Sequence, residues 1–279
     1  FPGVAASPVV RFFPGWRQLL GLQADWMRLA SSVMRFPKTL FVACLVLVCP
    51  AQGQESVPEA HPLRQPDVPD DGVRVAVLGY HDFSEKEAET AMRIRTSKFR
   101  KQMEVIRQLG IPVIPMADFA AWKDGLKEIP EKAVVITIDD GWKSTYTDAY
   151  PILKEFGYPF TVFLYKDYVD GGGKALTTAM IKEMMKHGAT VGSHSVTHPF
   201  PQAVKANRKR GAERYGKFLD KEMGESKRFL ESKFGVPVTT YAYPGGFFTE
   251  EMLTKAGEVG YTHLFTVQPG QVKRMNPNE

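Results

Sequence analysis

Short runs of apolar and β-branched residues alternate with amphipathic stretches along most of the chain, beginning near residue 73. Such runs between turn-forming residues predict β-strands, whereas apolar residues at spacings of three and four predict helices. The predicted strands are residues 73–78, 112–114, 133–138, 160–164, 190–192, 239–243 and 262–267. The predicted helices are residues 97–109, 145–156, 177–186, 212–234 and 249–259.

The stretch at residues 97–109 illustrates the helical pattern. Its residues Phe99, Met103 and Ile106 recur every three or four positions and form one apolar stripe. Strands that alternate with helices pair in parallel, because each helix returns the chain to the same end of the sheet. The sequence therefore predicts an α/β fold in which about seven parallel strands form a barrel or a doubly wound sheet.

The composition is that of an ordinary globular protein, with 43% hydrophobic and 24% charged residues among 279. These values exclude disordered, collagen-like and coiled-coil proteins. Of the formal net charge of +5, residues 1–53 carry +4, from five basic residues and one acidic residue, which leaves +1 for the rest. The basic excess therefore gives no reason to expect nucleic acid as a partner.

The basic N-terminal region contains the pattern of a secretory signal peptide at residues 34–53. A short basic stretch begins at Met34, residues 39–49 are apolar, and small residues precede a cleavage point after Gly53. The apolar run is shorter than the ~20 residues that a membrane-spanning helix needs. We therefore expect an exported protein, secreted or held in the periplasm or cell envelope, without a transmembrane span in the mature chain.

The remaining boundaries follow from this assignment. Residues 1–33 have the character of translated upstream sequence and are set aside from the fold, and the Pro-rich, charged residues 54–71 form a linker. The domain covers residues 72–279.

Both cysteines, Cys44 and Cys49, lie in the signal region, so the mature domain has no disulfide. A lipid anchor on Cys49 is the weaker alternative to a cleaved signal peptide, because Val48 is bulky where a small residue is usual.

Two adjacent carboxylates, Asp139 and Asp140, follow the predicted strand at residues 133–138 and precede Gly141. Like charges this close resist joint ionisation unless a cation or hydrogen-bond donors offset them. In an α/β barrel the carboxyl ends of the strands carry the catalytic groups. The alternative is a solvated loop in which an aspartate caps the next helix.

Two histidines, His194 and His198, follow the predicted strand at residues 190–192. Their spacing of four lets both imidazoles reach one metal ion, and although such a pair often arises by chance, its place at a strand end gives it weight. Two imidazoles and one carboxylate make a three-ligand site with an open position, which is typical of catalytic metals. Without cysteine ligands this set favours Zn²⁺, with Co²⁺, Ni²⁺ and Fe²⁺ as alternatives.

A third strand end, at residues 239–243, runs into Pro244, Gly245 and Gly246. Such a turn can present a backbone N–H to a developing oxyanion, although it can equally be only a tight turn. Two aromatic residues near these strand ends also have a functional and a structural interpretation. Trp142 and Tyr243 can form part of a substrate-binding surface or pack in the core.

The run Thr137-Ile138-Asp139-Asp140-Gly141, followed by His194-Ser195-Val196-Thr197-His198, resembles the polysaccharide deacetylase family, carbohydrate esterase family 4 with its NodB-homology domain. Members carry Thr-Phe-Asp-Asp-Gly and His-Ser/Thr-x-x-His motifs in this order at about this separation. The segments Gly79-Tyr80-His81-Asp82 and Tyr243-Pro244-Gly245-Gly246 resemble the branch that deacetylates poly-N-acetylglucosamine. The resemblance covers residue 73 to the C-terminus.

The resemblance implies a distorted (β/α) barrel of about seven strands and a bound divalent metal. It implies that Asp140, His194 and His198 are the metal ligands, that Asp139 is the catalytic base, and that the Gly245 N–H holds the oxyanion. The implied function is removal of N-acetyl groups from an acetylated amino-sugar polymer, with release of acetate.

The sequence departs from the family pattern in three places. Ala242 stands where many members have the arginine that pairs with the base, and Gly245 stands where many have an aromatic residue. The C-terminal Leu-x-His segment that supplies the general acid is absent, so a missing C-terminal piece is one explanation. His81 is then the leading candidate for the acid, and His263 is the other.

Two alternatives to a deacetylase remain at this stage. The departures from the pattern suit a catalytically inactive, carbohydrate-binding relative. A metal-independent glycosidase would instead use Asp139 and Asp140 as its two carboxylates. Glycosidase carboxylates flank the scissile bond from opposite sides, which neighbouring residues do not readily do, and that reading leaves both histidines unexplained.

Overall fold

The fold is organised around a parallel sheet in the part of the chain that the structure describes. The computed structural model describes residues 70–274 together with the two-residue segment Val10–Arg11. The predicted signal peptide at residues 34–53 and linker residues 54–69 lie outside the described residues. The strands are β1 (Val10–Arg11), β2 (Arg74–Tyr80), β3 (Asp82–Phe83), β4 (Arg93–Ile94), β5 (Lys132–Ile138), β6 (Phe160–Leu164), β7 (Ala189–Ser193), β8 (Thr240–Ala242) and β9 (His263–Thr266).

The main sheet has the strand order β1-β9-β8-β7-β6-β5-β2, and all of its neighbouring strands pair in parallel. Strands β3 and β4 form a separate parallel pair beside it. Six of the seven strands in the main sheet belong to the predicted domain. The predicted α/β class and distorted barrel are therefore confirmed, while β1 adds a short edge strand that the sequence pattern did not predict.

Helices connect successive strands. They are α1 (Thr96–Gln108), α2 (Met116–Lys123), α3 (Tyr150–Phe156), α4 (Thr178–Met185), α5 (Pro201–Arg208), α6 (Ala212–Leu219), α7 (Ser226–Phe234) and α8 (Glu250–Val259). Wider π-helical turns at Thr145–Ala149 and Asp220–Glu225 lead into α3 and join α6 to α7. The predicted helices at residues 145–156 and 212–234 are thus continuous helical stretches that each contain one wide turn.

Within residues 70–274, the strands of the main sheet bury residues on both of their faces. On one face, alternate residues such as Leu78, Ile136 and Leu264 pack among the helices. On the other face, Phe163 of β6 and Phe265 of β9 lie with ring centroids 5.1 Å apart, although their strands are not neighbours. The sheet therefore curls around an interior core, as in a barrel.

The barrel remains open between its edges, and helix α2 and the C-terminal segment cover its interior. Phe119 of α2 lies 6.3 Å from the Phe265 ring, and Val272 pairs with Val75 of β2 as an antiparallel bridge. The ammonium group of Lys123 donates to the carbonyl oxygens of residues 273 and 274 at 2.8 Å and holds this segment in place.

The predicted strand at residues 112–114 is wrong. Only Val113 forms a bridge, to Val134, and the segment continues into α2 after Pro115. Prolines at positions 112 and 115 lack the N–H groups that a sheet ladder needs, so the pairing cannot extend. Helix α2 was not predicted, because it is only eight residues long and alanines lie between its buried residues Met116, Phe119 and Trp122, so no apolar stripe stands out in the sequence.

Candidate metal centre

The Asp139-Asp140-Gly141 turn begins where β5 ends. The backbone N–H of Asp139 donates to the Tyr80 carbonyl at 2.8 Å, which extends the pairing of β2 and β5 by one residue. Asp140 and Gly141 then adopt φ values of 72° and 89°. A Cβ at position 141 would lie 2.9 Å from the Leu164 side chain, so this sharp turn requires glycine.

His194 follows β7 and has its tautomer fixed by the neighbouring strand. Its Nδ1–H donates to the carbonyl oxygen of Ala242 at 2.7 Å, because a carbonyl can only accept. The lone pair is therefore on Nε2, which faces Asp140. Burial lowers the pKa of His194 to about 4, against the opposing effect of Asp140, so the imidazole is neutral at neutral pH. Histidines that bind metal ions typically have this arrangement, in which the neutral imidazole donates its other ring N–H to a carbonyl oxygen.

His198 is presented by a strained loop. Ser195 and His198 have φ values of 81° and 54°, and the Ser195 hydroxyl accepts the backbone N–H of His198 at 2.9 Å. Among the described residues other than glycine, only Asp140, Asp170, Ser195 and His198 have positive φ. Three of these four belong to one cluster, and strain of this kind concentrates at functional sites.

The three predicted ligands converge. Oδ1 of Asp140 lies 3.3 Å from Nε2 of His198 and 3.6 Å from Nε2 of His194. One ligand atom from each residue lies within 4.8 Å of the other two. Oδ1 of Asp140 is buried and has no hydrogen-bond partner within residues 70–274. A divalent cation would satisfy this oxygen, and the donor set of two nitrogens and one oxygen fits such an ion.

Trp142 is half-buried and supports the Asp140 carboxylate. Its indole N–H donates to Oδ2 of Asp140 at 3.0 Å. With Oδ2 held in this way, Oδ1 points toward the two imidazoles. The other side of the Trp142 ring makes an edge contact with Tyr168, with centroids 5.4 Å apart.

Asp139 is buried beside the three ligands and is close to His81. Oδ1 of Asp139 has no hydrogen-bond partner in the described part of the chain, and Oδ2 lies 3.8 Å from Nε2 of His81. Burial, reinforced by the charge of Asp140, raises the pKa of Asp139 well above its ordinary value. Burial lowers the pKa of His81, although Asp140 opposes that shift. The structure therefore places the predicted base and the leading candidate acid next to each other.

The chain around His81 is fixed by Asp82, which the sequence analysis did not single out. Asp82 accepts hydrogen bonds from the Ser144 hydroxyl at 2.7 Å and from the guanidinium group of Arg93 at 2.6 Å. These contacts join the β3–β4 pair to the turn after Asp140. They hold His81 at the carboxyl end of β2.

His263 does not belong to the site, which corrects its candidacy as the acid. It opens β9, whereas the ligands lie beyond the opposite, carboxyl ends of the parallel strands. Its Nε2 lies 3.5 Å from Asp124 and its Nδ1 lies 3.0 Å from the Thr262 hydroxyl. His263 is thus a buried residue at the far end of the barrel.

Tyr243 and Gly245 have different surroundings, although they belong to one turn. Tyr243 is only 2% exposed, and its ring packs between those of Tyr241 and Phe248, so it is a core residue and not a surface for substrate. Gly245 has a φ of 62°, and a Cβ there would lie 3.8 Å from Pro201, two residues after the His198-Pro199 pair. The turn therefore lies beside the histidine loop.

Glu222 holds the histidine loop from the π-helical turn between α6 and α7. Its carboxylate is 3% exposed and accepts the N–H groups of Val196 and Thr197 at 3.1 and 2.9 Å. It also accepts the Thr197 hydroxyl at 2.9 Å. The sequence analysis missed this residue. A lone glutamate on a helix, 25 residues from Thr197, carries no local signal of such a role.

Comparisons with known proteins agree with this picture. A family described as Polysaccharide deacetylase matches residues 127–264, which include the aspartate turn and both histidines. The Bacillus subtilis protein YxkH is 28% identical over 201 residues, which cover 72% of this chain and 67% of the relative. A poly-β-1,6-N-acetyl-D-glucosamine N-deacetylase of Staphylococcus aureus is 24% identical over 189 residues, or 66% of this chain and 63% of the relative. The chain thus spans about two thirds of the length of these relatives.

The solved structure of the Streptococcus pyogenes deacetylase PplD in complex with acetate has the same fold, with a TM-score of 0.63 and 23% identity. The match covers 71% of this chain and 86% of PplD. Fold and comparisons together define a hydrolase of the class that acts on carbon–nitrogen bonds. Residues 127–264 thus form a domain of the polysaccharide deacetylase family, carbohydrate esterase family 4, and the resemblance seen in the motifs is confirmed.

The described residues also bear on membrane insertion. Between residues 70 and 274, no helix combines the length and apolar character that crossing a bilayer requires.

Proposed function

We propose that this protein removes N-acetyl groups from an N-acetylglucosamine polymer and releases acetate, using a divalent cation held by Asp140, His194 and His198. The observation that carries the proposal is the convergence of these three ligand atoms beside the buried carboxyl group of Asp139. The relative from S. aureus, which is named for its action on a β-1,6-linked polymer of this kind, supports the substrate class.

The donor set favours Zn²⁺, with Co²⁺, Ni²⁺ and Fe²⁺ as alternatives. A divalent cation at this position supplies Lewis acidity for the attacking water and for the acetamide carbonyl group. The protein contributes the neutral imidazoles and a carboxylate that Trp142 holds in one orientation.

Asp139 accepts the proton of the attacking water. Its raised pKa makes the ionised carboxylate a stronger base than an exposed aspartate. The water oxygen forms a bond to the carbonyl carbon, and the backbone N–H of Gly245 donates to the resulting oxyanion, an interaction that can be worth ~3 kcal/mol.

The carbon–nitrogen bond then breaks, and the leaving nitrogen needs a proton. His81 is placed to supply it. Its neutral imidazole takes up the proton that Asp139 received from the water, since its Nε2 lies 3.8 Å from Oδ2 of Asp139, and then gives that proton to the leaving nitrogen. Acetate and a free amino group on the sugar are the products. Ala242 stands where many members have an arginine, and its backbone carbonyl oxygen accepts the hydrogen bond from His194, a contact that does not depend on the side chain at this position.

The two alternative functions have less support. A glycosidase needs two carboxylates that are both free to act on the glycosidic bond, but Oδ1 of Asp140 faces two imidazoles and Oδ2 is held by Trp142. An inactive relative would have no need of an intact ligand set beside a buried carboxyl group with a raised pKa.

We also propose that the protein acts outside the cytoplasm. The basic, apolar and small-residue zones of residues 34–53 support export, and an extracellular polymer is the matching substrate. Mass spectrometry of the protein recovered from its host tests this: a mature chain that begins at Gln54 is expected, and a retained 34–53 segment would contradict export.

The central experiment measures acetate release by the purified protein from β-1,6- and β-1,4-linked N-acetylglucosamine oligomers, before and after treatment with a chelator. We expect release to be abolished by the chelator and restored by Zn²⁺. His194→Ala should behave like the chelated protein.

His187→Ala is the matched control, because His187 is a partly exposed histidine just before the amino end of β7, where it pairs with Glu183. It should retain full activity. Acetate release that survives complete removal of metal would overturn the role of the cluster. Absence of release from every polymer, by protein that carries bound metal, would favour the inactive relative.

A further inference from the structure

One aromatic side chain at the rim of the candidate metal centre lies largely in solvent, although burial would stabilise it. Phe200 is 64% exposed, and no other phenylalanine, tyrosine or tryptophan between residues 70 and 274 is as open to solvent. Leaving a phenylalanine ring in water forgoes most of the stabilisation that its burial would contribute. The other large apolar side chains that are exposed in this part of the chain are aliphatic.

The position of Phe200 is fixed rather than incidental. It lies between Pro199 and Pro201, whose rings restrict the backbone, and its own φ and ψ of −65° and 158° are extended. Its ring contacts the ring of His198 edge-on, with centroids 5.3 Å apart and planes at 81°. An exposed ring on such a restricted segment loses little conformational entropy when a ligand packs against it.

The next residue connects Phe200 to the turn that is proposed to hold the oxyanion. The ring atoms of Pro201 lie 3.8 Å from the position that a Cβ on Gly245 would occupy. Phe200 and Pro201 therefore lie between a metal ligand and the Gly245 turn. A sugar whose acetamide group reaches both would have its neighbours close to the Phe200 ring.

A second group of aromatic rings also contacts His198. Tyr165 lies 5.4 Å from the His198 ring and stacks on Tyr168, with centroids 5.1 Å apart and planes at 9°. Tyr168 in turn contacts Trp142. These three side chains are only partly exposed, so they form a wall, whereas Phe200 is largely open to solvent.

We propose that Phe200 is a binding surface for a hexosamine ring adjacent to the sugar that is deacetylated, so that the site recognises an oligomer rather than a single sugar. The C–H groups on one face of a pyranose ring can pack on the negative face of the phenyl ring while its hydroxyl groups remain in water. This inference rests on the proposed function and extends it, because it names the part of the polymer that the rim recognises.

The test compares Phe200→Ala with Phe200→Trp, which keeps an aromatic face, and with Leu126→Ala as a matched control. Leu126 is 81% exposed and follows α2 on the way to the start of β5, away from the ligands. The substrates are the monomer and the pentamer of N-acetylglucosamine and the small ester 4-nitrophenyl acetate. Binding of the pentamer is measured separately by titration calorimetry.

We expect Phe200→Ala to raise KM for the pentamer by about tenfold, the change that a loss of about 1.4 kcal/mol produces, with a much smaller effect on the ester. Phe200→Trp should restore pentamer binding, and Leu126→Ala should match the wild type. An unchanged KM and Kd for the pentamer in Phe200→Ala would overturn the inference. Equal losses on the pentamer and on the ester would also overturn it, because they would show that the ring only supports His198.

Failure of the proposed function gives a different result from failure of this inference. If the wild type releases no acetate but binds the pentamer through Phe200, the deacetylase proposal fails and the sugar-binding surface stands. If the wild type does not bind the pentamer, the surface fails whatever the activity.

Discussion

Asp139→Asn is expected to lower kcat for acetate release by about 10³-fold, within the range that general acid–base groups contribute, while the protein still binds its divalent cation. Asparagine has nearly the same shape as aspartate but cannot accept a proton from water. Asp139 is not one of the three ligand residues, and its side chain packs in a buried position that a neutral amide can occupy without a charge to offset. The loss should therefore appear in turnover and not in metal content.

The pH dependence adds a second readout for the same variant. A base must be ionised to act, and the raised pKa of Asp139 shifts its protonation to higher pH than that of an ordinary aspartate. Wild-type turnover should therefore fall as the pH is lowered and Asp139 becomes protonated. The residual activity of Asp139→Asn should lack this acid-side fall.

Asp118→Asn is the matched control, since Asp118 is a partly exposed aspartate in α2 that pairs with Lys127. Its kcat and pH profile should equal those of the wild type. Normal turnover by Asp139→Asn would remove Asp139 from the mechanism. Loss of metal together with turnover would instead show that Asp139 supports the ligands.

Glu222→Ala should weaken metal binding by about 10- to 100-fold, the loss typical when a group that orients a metal ligand is removed. The substitution leaves the N–H group of Val196 buried without its acceptor, whereas that of Thr197, which is an exposed residue, can turn to water. The strained backbone that presents His198 then loses the contacts that hold its shape. Because the Val196 donor loses its partner, the free energy of unfolding should also fall, by about 1–3 kcal/mol.

Glu222→Gln separates positioning from general stability, because the amide oxygen of glutamine can still accept both N–H groups. It should recover most of the metal affinity. Glu225→Gln is the matched control in the same π-helical turn, where Glu225 pairs with Lys166 at the surface. Zn²⁺ affinity measured by competition with a chelating dye, and unfolding of the metal-free protein by urea, are the two readouts. An unchanged Zn²⁺ affinity in a folded Glu222→Ala protein would show that the loop needs no such support.

The positions of the main strands along the chain were predictable, because hydrophobic patterning is a property of neighbouring residues. The runs at residues 133–138 and 160–164 correspond to β5 and β6 to within one residue, since each is buried on both faces and bounded by turn residues. The segment at residues 112–114 failed because Pro112 and Pro115 bracket it and limit its pairing with β5 to the bridge between Val113 and Val134. The short helix α5, which begins at Pro201, also escaped prediction.

The candidate site likewise contains some residues that the sequence revealed and others that only the structure revealed. Asp139, Asp140, His194 and His198 were found from sequence because reactive side chains follow directly after strands, and parallel strands bring their carboxyl ends together. The roles of Trp142, Tyr243 and Glu222 were not accessible in this way. Each depends on what the side chain touches, and those contacts come from other elements of the fold.

The sequence by itself determined that strands and helices alternate, and that two aspartates and two histidines follow the ends of buried strands. Periodicity and motif spacing are properties of neighbouring residues, so they need no knowledge of the fold. Only the tertiary structure decided that His81 and not His263 lies beside Asp139, that Trp142 holds the Asp140 carboxylate, and that Glu222 supports the His198 loop. These outcomes depend on distances between segments that are far apart in sequence, which are fixed only when the sheet curls and its helices pack.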